Sequence, residues 1–224
     1  MKILLETADL AEIRWATQAG LIDGVTTHPA LLDRVAAGRD HRDVIAEICA
    51  AVPGPVSADV AAVDVEGIFR EGKDLARLAE NVVVKVPVIE EGLAAARRLS
   101  AEGVAVNVTL VCSAMQALLA AKAGAAFVSP AVGPLDDAGH DGIDVVRQVR
   151  AVFGAHELEC EVVAASIRNA QRALHAALAG ADAVTVPAAV LRQMLVHPLT
   201  DRGVDQLLSD WSRLGRGRPA ENRS

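Results

Sequence analysis

The sequence predicts an α/β protein: a single (β/α)8 TIM barrel with an extra C-terminal helix. Three observations carry this. Short apolar runs of strand character begin near residues 2, 23, 56, 82, 104, 126, 161 and 183, and each is followed by a stretch of helical periodicity. The strand runs lack the apolar–polar alternation of a half-exposed sheet; Val82-Val83-Val84 is apolar on both faces, as a parallel strand covered by helices must be. No composition break divides the 224 residues, so eight units of mostly twenty-odd residues read as one closed barrel. A doubly wound open sheet is the second reading, but no Gly-x-Gly-x-x-Gly follows the first strand, as a dinucleotide-binding fold would require.

The elements follow in order. Lys2 to Glu6 forms a strand ending on a carboxylate, and Asp9 with Glu12 has the spacing of a capping box for a helix that stops at Gly20. Ile22 to Thr27 is the second strand, and His28-Pro29 opens a helix with proline at its first position. Helix from Asp40 to Val52 is ended by Pro53-Gly54-Pro55, and Val56 to Val60 is the third strand. Helix from Asp64 to Glu80 precedes the fourth strand, Asn81 to Val88. Glu90 to Glu102 is helical, Val104 to Thr109 is the fifth strand, and Ser113 caps a helix that Gly124 stops. Ala126 to Pro130 is the sixth strand; Gly133 to Gly142 reads as a long Gly/Asp-rich loop before the helix Ile143 to Phe153. Cys160 to Ser166 and Ala183 to Pro187 complete the barrel, with a helix between them ending at Gly180. Residues 1–200 are thus assigned to the barrel, 201–214 to an added helix, and 215–224 to a disordered tail. The added helix carries Val204, Leu207, Leu208, Trp211 and Leu214 on one stripe, which must dock on its own barrel or on a neighbouring subunit.

Composition narrows the function. A net charge of −7 with no basic cluster, and 2% aromatic residues with no tyrosine, argue against nucleic acid as a partner. Cys49, Cys112 and Cys160 are odd in number and widely spaced, which fits reduced thiols acting as small buried hydrophobes better than disulfides or a zinc site. The opening run Met1 to Glu6 is too short for a signal peptide, and no segment has the length of a membrane span. The expectation is a soluble, cytoplasmic protein.

Lys85 is the residue that stability does not explain. The chain has four lysines against eighteen arginines, yet a lysine sits inside the most apolar strand. Arginine cannot give up its proton and lysine can. Desolvation at the end of such a strand favours the neutral amine, the nucleophile that forms a Schiff base with a carbonyl. A strand-end lysine reaching out to solvent is the competing reading. The remaining polar residues favour the first: Glu6, Thr26, Asp59, Asn107, Thr109, Ser129 and Ser166 all fall at or near the C-terminal ends of strands, the catalytic face of such a barrel. By chemistry, Lys85 would attack a ketone, Glu6 and Asp59 would move protons, and Thr109 would hold a water between them. Ser166 and Arg168 follow the seventh strand, where barrels commonly bind phosphate.

These residues lie in motifs that resemble the transaldolase family, especially its branch of short bacterial transaldolases and fructose-6-phosphate aldolase. The resemblance rests on Glu6-Thr7-Ala8, Gly24-Val25-Thr26-Thr27-His28-Pro29, Val84-Lys85-Val86-Pro87, Asn107-Val108-Thr109-Leu110, Ser129-Pro130, Gly139-His140-Asp141-Gly142, Ala164-Ala165-Ser166-Ile167-Arg168 and His197-Pro198-Leu199-Thr200-Asp201. It implies a Schiff base on Lys85 and transfer of a dihydroxyacetone unit between sugars or sugar phosphates, without metal or cofactor. It also implies a ring-shaped homo-oligomer, a pentamer or decamer, in which the C-terminal helix packs on a neighbour.

The chain departs from the family pattern at one pocket. Glu6 stands where the family usually has Asp, and Asp59 where transaldolases usually have Glu; one carboxylate gains a methylene and the other loses one. His28 replaces the usual Asn, which adds a group titrating near neutrality beside the substrate hydroxyls. Ala131 replaces an aromatic, opening space beside the nucleophile, and Pro134 replaces an arginine of the phosphate site. The expectation is a specialised transaldolase acting on a longer or modified sugar. A simple aldolase shares the lysine, but Asp59 resembles the transaldolase carboxylate rather than the aldolase's glutamine. A paralogue that binds sugar without chemistry is the reading from another class.

Overall fold

In the computed structural model, which describes residues 1–214, eight parallel strands close into one barrel in chain order. They are β1 (Lys2–Glu6), β2 (Gly24–Thr26), β3 (Val56–Asp59), β4 (Val82–Pro87), β5 (Val106–Val111), β6 (Phe127–Pro130), β7 (Glu161–Ala164) and β8 (Ala183–Val186). β8 returns to β1 with Leu4 opposite Thr185. Helices cover the outside: α1 (Leu10–Gln18), α2 (Pro29–Ala36), α3 (His41–Ala51), α4 (Val65–Ala76), α5 (Glu90–Ala101), α6 (Ala114–Lys122), α7 (Val132–Asp137), α8 (Gly142–Ala155), α9 (Ala170–Leu178), α10 (Ala188–Leu195) and α11 (Pro198–Arg213).

Because side chains alternate along a strand, each strand feeds two cores. Outward residues such as Leu5, Val84, Val86, Val108, Val162 and Val184 join the helices' apolar faces in one large cluster. Inward residues Leu4, Val163 and Ala183, with Phe127 against them, form a small plug in the N-terminal half of the barrel. Below it Lys2 pairs with Glu161 at 2.7 Å. Above the plug, the polar inward residues gather toward the C-terminal end. Register then aligns them: Glu6 is opposite Thr26, and Asp59 is opposite Lys85, which is opposite Asn107.

Local chemistry moves several boundaries from where the sequence puts them. The fifth strand is Val106–Val111 rather than 104–109, because the Val104 amide donates to Leu99 O and belongs to the end of α5. α4 ends at Ala76, four residues early, and Asn81 serves as a clamp before β4: its Nδ2 donates to the carbonyls of Cys49, Val52 and Gly54. The loop read at Gly133 to Gly142 contains the short helix α7. The Asp9–Glu12 capping box does not close; Asp9 caps Ala11 N at 2.7 Å, but Glu12 accepts from Thr7 Oγ1, which itself accepts from the Asp9 amide.

The added helix begins at Pro198, not 201, because His197-Pro198 repeats the cap used at His28-Pro29; each imidazole Nδ1 accepts an amide two residues on. None of its described residues is buried, and Val204, Leu207, Leu208 and Leu214 are all exposed, so its stripe does not dock on its own barrel. The tail assigned to 215–224 lies outside the described residues. Among the described residues no helix is long and apolar enough to cross a membrane. Cys49 and Cys160 are buried as expected, whereas Cys112 is exposed at the end of β5; no disulfide joins them.

Candidate active site

A cavity of about 430 Å³ opens at the C-terminal end of the barrel. Nine residues singled out in the sequence line it together: Glu6, Thr26, His28, Asp59, Lys85, Asn107, Thr109, Ser129 and Ser166. Arg168 lies in an adjoining cavity of about 380 Å³, to which Glu6, His28 and Ser166 also contribute.

Lys85 stands near the end of β4 with its side chain 11% exposed, and its Nζ donates to Asp59 Oδ2 at 2.9 Å and to Thr27 O at 3.0 Å. The Thr27 carbonyl is available because β2 ends at Thr26, one residue before the ladder would have used it. A carboxylate on the neighbouring strand thus lies within hydrogen-bond reach of this amine. Glu6, at the end of β1, makes no side-chain hydrogen bond among the described residues and is free to meet a ligand. Ser129 Oγ donates to Asn107 Oδ1 at 2.8 Å, both side chains buried, which leaves the Asn107 NH2 to donate into the cavity. His28 uses Nδ1 as the α2 cap, so Nε2 is the nitrogen left for a ligand.

Two lining residues hold left-handed backbone, Leu110 at φ +61° and Ser166 at φ +60°. Such conformations cost of order 1–3 kcal/mol for non-glycine residues and recur where a site needs a particular backbone path. Leu110 sits where the β5–β6 register shifts between Val108 and Val111, and it projects exposed onto the rim. The Ser166 amide is satisfied by Thr185 Oγ1 at 3.0 Å. Gly133 of α7 approaches this loop so closely that a Cβ there would lie 2.6 Å from Ser166 O and 3.0 Å from Arg168 Nε.

Arg168 is not directed at the main cavity. Its guanidinium grips Asp137 with both Nη atoms, at 2.5 and 2.7 Å. The hydrogen bond and charge of Asp137 hold the guanidinium above its ordinary pKa, and Arg168 in turn holds the Asp137 carboxyl below its own. Pro134 lines the main cavity and brings no cation to it. Ala131 is buried, bridged to Ala165, and is not among the lining residues, so the space gained there does not adjoin Lys85 directly.

Sequence reasoning missed two contributors. Thr185 lines the cavity from β8 and obeys the same rule as the others, a polar residue near a strand's C-terminal end, so the signal was present. The Thr27 carbonyl carries no side-chain signal, because what matters is where the β2 ladder stops.

The comparisons agree with this geometry. The profile of the family described as Transaldolase/Fructose-6-phosphate aldolase matches residues 3–216. A protein of Methanococcus maripaludis named "Probable transaldolase" is 52% identical over 211 residues, covering 94% of this chain and 97% of that one. One of the same name from Herpetosiphon aurantiacus is 50% identical over 214 residues, covering 96% of each. Among solved structures, one titled "Native KDPGal structure" shares the fold at a TM-score of 0.59 and 15% identity, over 83% of this chain and 82% of that one. A designed cube-shaped, highly porous protein cage built from fused symmetric oligomeric domains shares it at 0.61 and 14%, over 96% and 81%. The chain belongs to the transaldolase/fructose-6-phosphate aldolase family.

Proposed function

We propose that the protein is a transaldolase that carries a dihydroxyacetone unit on Lys85 between a ketose donor and an aldose acceptor. The observation that carries the reading is the Lys85–Asp59 pair inside a cavity that also holds Glu6 and Thr109. Asp59 takes a proton from the Lys85 ammonium as the donor enters, and the neutral amine adds to the ketone carbon. The carbinolamine then loses its hydroxyl: Asp59 returns the proton to the departing oxygen, the C–O bond breaks to give water held by Thr109, and the nitrogen lone pair closes the iminium. The iminium then draws the electrons of the adjacent carbon–carbon bond as Glu6 accepts the proton of the hydroxyl beyond it, releasing an aldehyde and leaving an enamine. Addition of the enamine to an acceptor aldehyde and hydrolysis of the new iminium reverse these steps.

The substrate is a sugar phosphate with Ser166 and Arg168 toward its phosphate, and a longer or modified one. The second cavity joined to the first through Glu6, His28 and Ser166 supports the extra length, and Pro134 in place of a cation supports weaker hold on a short phosphate ester. The exposure of Val204, Leu207, Leu208 and Leu214 on α11 and its end supports a ring-shaped homo-oligomer in which that helix packs on a neighbouring copy. A transfer assay tests the chemistry. Fructose 6-phosphate or a longer ketose phosphate is supplied with a panel of aldose phosphates of increasing length. The longer partners are expected to turn over best. Rapid exchange between fructose 6-phosphate and erythrose 4-phosphate would argue for the general enzyme, and release of free dihydroxyacetone without an acceptor would argue for an aldolase.

A further inference from the structure

The Arg168–Asp137 pair is unlike the other ion pairs of its neighbourhood. Asp136, one residue earlier, is fixed from two sides, accepting from Arg172 Nη2 at 2.8 Å and from the Gly142 amide at 3.0 Å. Asp141 caps α8 at Ile143 N and receives Arg172 Nη1. Asp137, at the last turn of α7, has only Arg168 among the described residues, and the pair is open to solvent, 57% and 58% exposed. Yet its geometry is the two-pronged one that a guanidinium also offers to phosphate, and both Nη atoms are spent on it. Ser166, the other phosphate group of the proposed function, lies two residues away, and Gly133 lets α7 sit against both.

We propose that Asp137 is an internal stand-in for the substrate's phosphate: it holds the Arg168 guanidinium in the free protein and is exchanged for the phosphate when a sugar phosphate enters. The inference rests on the reading of Ser166 and Arg168 as the phosphate site. Asp137 acts through Arg168 and is a positioning residue; it keeps the guanidinium folded over the second cavity, and its charge competes with every phosphorylated ligand. The pair is open to solvent on both sides and screened by it, so exchange is accessible. A dianion with three acceptor oxygens gains more from the guanidinium than one carboxylate does.

The test is calorimetric titration of the intact protein with inorganic phosphate, in Asp137→Asn, Arg168→Gln and the double variant, with Asp137→Ser as a second probe of the same position. The proposal expects Asp137→Asn to bind phosphate about two- to fivefold tighter. It expects no gain from the same change in the Arg168→Gln background. In turnover, KM for a phosphorylated donor falls by a similar factor while kcat moves less, a split that a merely structural role would not produce. Unchanged or weaker phosphate binding in Asp137→Asn and Asp137→Ser would overturn the proposal, since Asp137 would then be preparing the guanidinium rather than competing for it. A gain that persists without Arg168 would overturn it too, as a nonspecific effect of removing charge. If Arg168→Gln alone binds phosphate as well as the parent, the phosphate site itself is misplaced and the inference falls with it; the first two failures leave that site standing.

Discussion

Asp59→Asn separates the chemical role of the Lys85 pair from its structural one. The substitution keeps the shape of the side chain and an oxygen that can accept from Nζ, and removes only the charge and the capacity to take a proton. The pair is largely sheltered, with 11% of the Lys85 side chain and 18% of Asp59 exposed, but it faces the mouth of an open cavity and Lys85 retains Thr27 O at 3.0 Å. Breaking a fully buried pair costs about 3–5 kcal/mol. Here the charge-assisted bond is replaced by a neutral one, a difference of about 1–1.5 kcal/mol, so stability should fall by no more than about that. Catalysis has more to lose. Without a carboxylate on Nζ, neither the entry of the amine nor the departure of water has its proton carrier, and general acid–base catalysis is worth about 10²–10⁴ in rate, or roughly 3–5 kcal/mol of barrier. Urea unfolding gives the first quantity. A single-turnover time course of donor trapped by borohydride gives the second. Near-parent trapping in Asp59→Asn would refute the assignment of Asp59 as proton carrier; a rate loss accompanied by an equal loss of stability would reduce it to scaffolding.

Other outcomes follow from the same geometry. Pro134→Arg restores a cation to the cavity wall; a charge-assisted contact worth about 1.5–3 kcal/mol should lower KM for phosphorylated donors by about ten- to a hundredfold, read by steady-state kinetics. Burial pushes the Cys49 thiol up to about 11 and the Cys160 thiol up to about 12, the latter aided by Asp182 and Glu161, so at pH 8 both remain protonated and enclosed. Iodoacetamide should therefore add to one thiol, Cys112, with the other two reacting only on unfolding, as counted by intact mass. Leu207→Asp together with Leu208→Asp places charge on the exposed α11 stripe and should yield smaller particles by light scattering with the barrel's circular dichroism unchanged.

The barrel was legible because its signal is repeated eight times, and a repeat survives errors in any single unit. Boundaries were not, for reasons that lie in tertiary contacts. Asn81 looks like the start of a strand until it is seen clamping a carbonyl of the last turn of α3 and two of the loop after it, and Val104 looks like strand until its amide is found closing α5. In the site, the rule of polar residues near strand ends gathered eight side chains into one cavity, since parallel register carries Asp59, Lys85 and Asn107 to the same level. Arg168 lies in the adjoining cavity instead. That residue follows a strand end as the others do, but an acidic residue on α7, 31 positions earlier in the chain, takes its guanidinium. Pairings at that separation, with a helix the sequence did not announce, leave no local trace.

The central claim is a covalent bond between Lys85 and a sugar ketone. It is met most directly by incubating the protein with a ketose phosphate, reducing with borohydride, and mapping the adduct by peptide mass spectrometry. The expected result is one dihydroxyacetone-sized addition on the peptide containing Lys85, absent in Lys85→Ala and in Lys85→Arg, which keeps the charge but cannot form the iminium. An adduct on another lysine, or none with any ketose phosphate offered, would contradict it.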